Sequence, residues 1–130
     1  MKYPVIVAPF LKVDGMALFP FILVKTERMK QDQVLIRHET IHLRQAAELL
    51  VIPFYIFYLV NYIINRFKYN SHHQAYMNIV FEREAYRQER NITYLQTRKL
   101  YAWMHYFNWI NDSLIKNQFL KQVHFRFICW

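Results

Sequence analysis

Apolar and polar positions follow two different periods along this chain. Over residues 1–26, short apolar runs alternate with breakers, and residues 3–11 and 16–25 read as two extended segments. Asp14-Gly15 lies between them, a pair that favours a tight hairpin turn. Pro20 cannot donate a ladder hydrogen bond, which places the second segment at a sheet edge or gives it a bulge. Residues 26–33 are polar and read as a loop. From Gln33 the spacing becomes helical, carried by Val34, Leu35, Ile41, Ala46, Leu49 and Leu50, with Asp32 as N-cap. Pro53 is expected to kink or end this helix, because it removes the bond to the Leu49 carbonyl. Residues 54–64 are almost unbroken apolar sequence, and 65–73 read as a turn. A second long helix is expected over 73–96, and a third over 97–116 with Leu100, Trp103, Met104, Phe107 and Ile110 or Trp109 inward. The tail, 119–130, alternates like a strand or extended segment. The expected fold is α+β, mainly α: an N-terminal β-hairpin or edge strand, then long helices, in a single domain over residues 1–130.

Composition agrees with this order. One glycine in 130 residues argues against a loop-rich β protein and against a glycine loop cradling phosphate. Seventeen Lys and Arg against nine acids give a formal charge of +8, which suits an anionic membrane surface or nucleic acid. No known nucleic-acid motif accompanies the charge, so nucleic acid is not the expected partner. Cys129 is the only cysteine, which excludes an intramolecular disulfide and a cysteine zinc site. The apolar N-terminus is interrupted by Pro4 and Pro9 and makes a poor signal peptide.

Residues 49–64 raise the question of a membrane. As a helix they would cover about 24 Å, short of the roughly 20 apolar residues that a span needs. They read as a buried core helix, as an interfacial helix with Tyr side chains and the flanking Arg66 and Lys68 suited to lipid headgroups, or as a membrane span. Membrane-associated and cytoplasmic locations both fit.

The chemistry concentrates in His38-Glu39-Thr40-Ile41-His42. Residues four apart share a helix face, so two imidazoles can point at one Zn2+ ion. Glu39, offset by about 100°, can act on a water there as general base without ligating. A third ligand must come from His, Asp or Glu. Ala75, Ile79, Glu82 and Tyr86 form one stripe of the next helix, so Glu82 interrupts an apolar face, where a buried carboxylate needs a partner. A cation supplies one; an ion pair with Arg44 or Arg37 is the alternative. Glu84 is about 200° round and reads as solvent-facing. Glu89 lies on the Glu82 face two turns away, and His72 and His73 are further candidates in the turn.

His38-Glu39-xx-His42, followed 40 positions later by Glu82 on a second helix, resembles the gluzincin metallopeptidases. The chain is also similar to small uncharacterised proteins with a His-Glu-x-Ile-His-x-Arg-Gln signature and a later Phe-Glu-Arg-Glu-Ala-Tyr. The resemblance covers roughly residues 15–90. It implies Zn2+ held by His38, His42 and Glu82, and hydrolysis of a peptide or protein substrate with Glu39 as base. It puts Tyr86 where the clan carries an Asp that orients a ligating His. It also implies an edge strand before the active-site helix, here 16–25, that takes an extended peptide by β-augmentation. Tyr86, Arg83, His105 and His124 are candidates to stabilise an oxyanion. Against a metallopeptidase stand a non-catalytic zinc or membrane-surface interaction protein of similar fold and a basic binder with an incidental motif. Oligomeric state is not legible.

Overall fold

The computed structural model describes residues 2–107. Three short strands, β1 (Val5–Val7), β2 (Gly15–Leu18) and β3 (Phe21–Val24), are followed by helices α1 (Gln33–Glu48), α2 (Ile52–Lys68), α3 (His72–Met77), α4 (Val80–Gln88) and α5 (Tyr94–Thr97). A 3₁₀ turn precedes α1 at Glu27–Gln31, and another follows α5 at Ala102–Tyr106. The fold is α+β, mainly α, with the strand-then-helix order of a minimal zincin core.

The β-branched and aromatic runs form the strands, as their side chains favour, but their pairing differs from the expected hairpin. The sheet order is β1-β3-β2. β1 runs parallel to β3, and β2 pairs antiparallel with β3 through a turn at Phe19-Pro20. The hairpin therefore lies inside the segment 16–25, and Pro20 sits in its turn. Gly15 does not supply a left-handed turn residue, since its φ is not positive. It opens β2 where the strand crosses α1 closely: a Cβ there would stand 2.9 Å from Leu35 Cδ1 and 3.0 Å from Glu39 Oε1.

α1 is the central element. Asp32 caps it, its carboxylate accepting from the backbone N–H of Val34 and Leu35 at 3.1 Å each. Leu35 and Leu43 pack against Ile22 and Val24 of the sheet. Ala46, further along the helix, joins Phe54 of α2 and Val80 and Phe81 of α4 in a second cluster. Buried residues therefore run around most of α1 between Leu35 and Ala46, and His38, Glu39 and His42 lie among them.

The break before Pro53 falls where expected, with the proline in the first turn of α2. Leu50 and Val51 make the corner in left-handed backbone, with φ of 59° and 66°. Among the described residues no single helix is long and apolar enough to cross a membrane; α1 and α2, bent by 112° at this corner, approach that length only as a pair.

Beyond α2 the expected long helices are divided. The turn assigned to 65–73 is shorter, because α2 runs to Lys68 and Asn65 is buried, donating to the Ala75 carbonyl at 3.0 Å. The helix expected over 73–96 breaks at Asn78-Ile79, and the backbone N–H of Val80 is satisfied by Asn61 Oδ1 of α2 at 2.8 Å. This tertiary cap replaces the helical bond that continuity would have supplied. The stripe Ala75, Ile79, Glu82, Tyr86 is nevertheless buried throughout. The helix expected from Thr97 is absent as far as Phe107: Arg98 leaves helical backbone, Tyr101 adopts a φ of 55°, and only a 3₁₀ turn follows. Trp103 packs on Phe81, whereas Leu100, Met104 and Phe107 are exposed. The rest of that helix and the tail strand fall outside the described residues.

Gly15→Ala should destabilise the protein by about 1–3 kcal/mol through forced separation of β2 and α1. Thermal unfolding measures it, and an unchanged Tm would show that the strand has room to spare.

Candidate metal centre

Helical spacing brings His38 and His42 to the same side of α1, and α4 crosses there with Glu82. The two Nε2 atoms lie 3.1 Å apart. His38 Nε2 is 3.2 Å from Glu82 Oε2, and His42 Nε2 is 3.2 Å from Glu82 Oε1. All three residues are buried. Among the described residues they are the group of His, Cys, Asp and Glu side chains whose donor atoms converge as metal ligands do. Zinc ligands about 2.0–2.1 Å from a tetrahedral centre stand about 3.3 Å from one another, and the three separations are close to that edge, with the two imidazoles facing different oxygens of Glu82. The cluster has the spacing and the acidic third ligand of a minimal gluzincin-type Zn2+ site. Neither Arg37 nor Arg44 pairs with Glu82; they donate to the backbone carbonyls of Glu89 and Leu95.

The hydrogen bonds behind the imidazoles fix which nitrogen faces inward. His38 Nδ1 is 3.0 Å from Glu89 Oε2, and a carboxylate can only accept, so Nδ1 donates. His42 Nδ1 is 2.8 Å from Gln45 Oε1. The Gln45 amide nitrogen is committed to the Phe81 carbonyl at 3.1 Å and to Glu84 Oε2 at 3.0 Å, so its oxygen must face His42. Both Nε2 atoms therefore present lone pairs to each other and to a carboxylate. Glu82 Oε2 is buried without a hydrogen bond of ordinary geometry. Such an arrangement requires a cation between the three atoms. In the metal-free protein that cation is a proton. Burial alone would push the His38 imidazole down, but hydrogen bonds to Glu82 and Glu89 hold it up to about 10. His42 is raised as well, burial being overcome by the Glu82 charge. Burial would raise Glu82, yet the two imidazoles hold its carboxyl well below the usual range. Zn2+ fits the same donors, and its binding must displace those protons.

Two features were hidden from sequence reasoning. Glu89, at the C-terminal end of α4, provides the carboxylate on His38, while Tyr86 lays its ring edge-on against His38 with centroids 4.5 Å apart. Gln45, the last residue of the His-Glu-x-Ile-His-x-Arg-Gln run, supports His42 from one turn further along α1. Glu84, expected to face solvent, is fully buried. It accepts from Gln45, from Tyr94 at 2.9 Å and from Arg98, which also pairs with Glu48. The segment 94–98 folds over that side of α4, so the face opposite Glu82 is interior too. Glu82 is the carboxylate at the imidazoles, and Glu84 is one step behind.

Glu39 is buried, and its Oε1 lies against the start of β2. Burial raises its carboxyl above the usual range, with the two imidazoles acting in the opposite direction. A cleft of about 210 Å³ runs between β2 and α2, with His38, Glu39, His42 and Glu82 in its wall. Ala17 and Phe19 turn their backbone groups away from β3 and into this cleft. Tyr55 of α2 donates to the Ala17 carbonyl at 3.2 Å and accepts from the Phe19 N–H at 3.0 Å, while the Ala17 N–H is bonded to Glu39. Tyr58 donates to Glu82 Oε1 at 2.6 Å, and Tyr76 also lines the cleft. Arg83 points elsewhere, to the Tyr106 carbonyl and Asn78. His72 is bonded to Tyr62, away from the cluster, and His105 is exposed. His73 is not among the converging ligands, and His124 falls outside the described residues.

Removing the group on a ligand's far nitrogen weakens metal binding by about 10- to 100-fold. Glu89→Ala should therefore lower zinc affinity by that factor in a competition titration, and Tyr86→Phe should change it little; the reverse ranking would assign the orienting role to Tyr86. The raised imidazoles also set a pH dependence. Their protons stabilise the metal-free fold fully below the unfolded value of 6.5, and that contribution is lost as pH rises toward about 10. Zinc replaces the protons, so the Tm difference between zinc-loaded and metal-free protein should widen across this window. Parallel Tm curves would show that the imidazoles hold no extra protons.

No family model, curated protein or solved structure matches this chain, so the reading of the centre rests on its own geometry.

Proposed function

We propose that this chain is a zinc-dependent metallopeptidase. The observation that carries the reading is that two imidazoles and a carboxylate gather in the wall of a cleft, with a fourth group, Glu39, beside them but outside the donor set. A structural zinc site closes its coordination with four protein ligands, whereas a catalytic one keeps a position open. Zinc bound by His38, His42 and Glu82 would supply a Lewis acid that acidifies water and polarises a carbonyl. Glu39 takes the proton of the attacking water on its carboxylate and passes it to the departing amine nitrogen. Its burial suits this task, because a carboxylate made more basic is a better proton acceptor near neutral pH. Tyr86 acts by packing, holding the His38 ring in the plane that Glu89 selects.

The substrate in this reading is an extended peptide or unfolded protein segment laid along β2, adding a strand through the outward groups of Ala17 and Phe19. Tyr55 and Glu39 occupy those groups in the free protein, so substrate must displace the Tyr55 hydroxyl. A membrane surface is a second partner, and nucleic acid is not one.

Glu39→Gln separates catalysis from metal binding. The variant should retain one equivalent of zinc and lose hydrolysis of an unstructured protein by about 10²–10⁴-fold. Zinc in both proteins with no hydrolysis by wild type would favour a non-catalytic zinc protein, and a metal-free wild type would sink the reading altogether.

A further inference from the structure

α2 is amphipathic in the reverse of the usual sense. Its tyrosines and asparagines face the protein, and its aliphatic side chains face out. Of its seventeen residues only Phe54 and Asn65 are buried. Ile52, Ile56, Leu59, Val60, Ile63 and Phe67, spaced to fall on one side of a helix, are between 45% and 88% exposed. They occupy an arc of about 100° and a length of about 22 Å. No charged residue lies within the arc; Arg66 and Lys68 flank it at the C-terminal end. The patch is on the order of 300 Å², the scale at which exposed apolar surface marks a contact site.

Charge identifies what it contacts. The chain has nine acids, and the centre withdraws five of them from the surface: Glu39, Glu82, Glu84 and Glu89 are buried, and the Glu48 side chain is 5% exposed in its pair with Arg98. Among the described residues this leaves Asp14, Glu27 and Asp32 to offset the basic side chains. Arg98 is withdrawn with two of them, and the described surface still carries a clear excess of basic side chains. A second copy would bring two such surfaces together, which repel; an anionic bilayer attracts one.

We propose that the outer face of α2 docks on the interface of an anionic lipid bilayer, with the helix lying in the membrane plane and Arg66 and Lys68 among the headgroups. Tyr55 and Tyr58, which line the cleft, are on the opposite side of the same helix. Docking thus holds the cleft about one helix diameter, roughly 10 Å, from the lipid. This deepens the peptidase reading and rests on it for substrate: the class becomes extended segments of membrane-anchored proteins close to the bilayer surface.

The test is co-sedimentation of the full-length, zinc-loaded protein with vesicles of phosphatidylcholine, alone or mixed with phosphatidylglycerol. Binding should be at least about tenfold tighter to the mixed vesicles and should weaken with salt. Ile56→Glu combined with Ile63→Glu should reduce it at least about tenfold. Arg66→Gln combined with Lys68→Gln, which leaves the apolar face intact, should diminish the preference for anionic lipid. Zinc stoichiometry, thermal unfolding and hydrolysis of a soluble peptide are measured on the same preparations, so loss of lipid binding registers separately from failure of the peptidase reading. Wild type that stays in the supernatant, whether a second copy or residues 108–130 cover the face, overturns the proposal. So does equal binding to both vesicle types, or lipid binding unchanged in both double variants. A lipid-free dimer in sedimentation velocity that Ile56→Glu with Ile63→Glu converts to monomer would assign the face to self-association instead.

Discussion

Two imidazole lone pairs and a carboxylate meet 3.1–3.2 Å apart in the middle of this protein, and without a positive charge between them the arrangement would repel itself. Much of the surrounding structure makes that meeting unavoidable. The sheet and the α2–α4 cluster bury most of the circumference of α1 between Leu35 and Ala46, and α4 crosses it at the histidines. Glu89 and Gln45 take the outer nitrogens. Gln45 can do so only because Glu84 and the Phe81 carbonyl hold its amide, and Glu84 is held in turn by Arg98 and Tyr94. A chain of hydrogen-bond polarity therefore runs from Arg98 to the inner nitrogen of His42, a residue 56 positions earlier in sequence.

The parts legible in the sequence are those set by local periodicity. The spacing of His38 and His42, the Asp32 cap, the stop at Pro53 and the burial of Glu82 follow from a few residues in one helix. The parts that were not legible depend on contacts between distant segments. Glu84 reads as a surface residue because nothing near it in sequence announces Arg98. The break at Asn78-Ile79 is invisible without Asn61 of α2 to cap Val80. The Asp14-Gly15 pair departs from its sequence signal for a related reason: glycine serves there for close approach to Leu35 and Glu39, not for turn geometry.

α2 shows the same limit from another side. Its composition fits a core helix, an interfacial one or a span, because periodicity reports that a helix has two faces without saying which is inside. The structure turns the tyrosine face inward, where the hydroxyls of Tyr55 and Tyr58 have specific work at the edge strand and at Glu82. The aliphatic face is what remains. A polar side of a helix is buried only where polar groups await it, and here the centre provides them.

The ligands also have a topological consequence. Forty residues separate His42 from Glu82, and the chain's single cysteine leaves it no disulfide with which to tie such a span. An ion held by both closes that loop in the folded state as a covalent bridge would, and tethering a loop of this length corresponds to about 4 kcal/mol of chain entropy. The centre is then a removable staple as well as a site for chemistry. A chain of this size would owe a substantial share of its cohesion to the ion, which ties its folding to the local supply of metal.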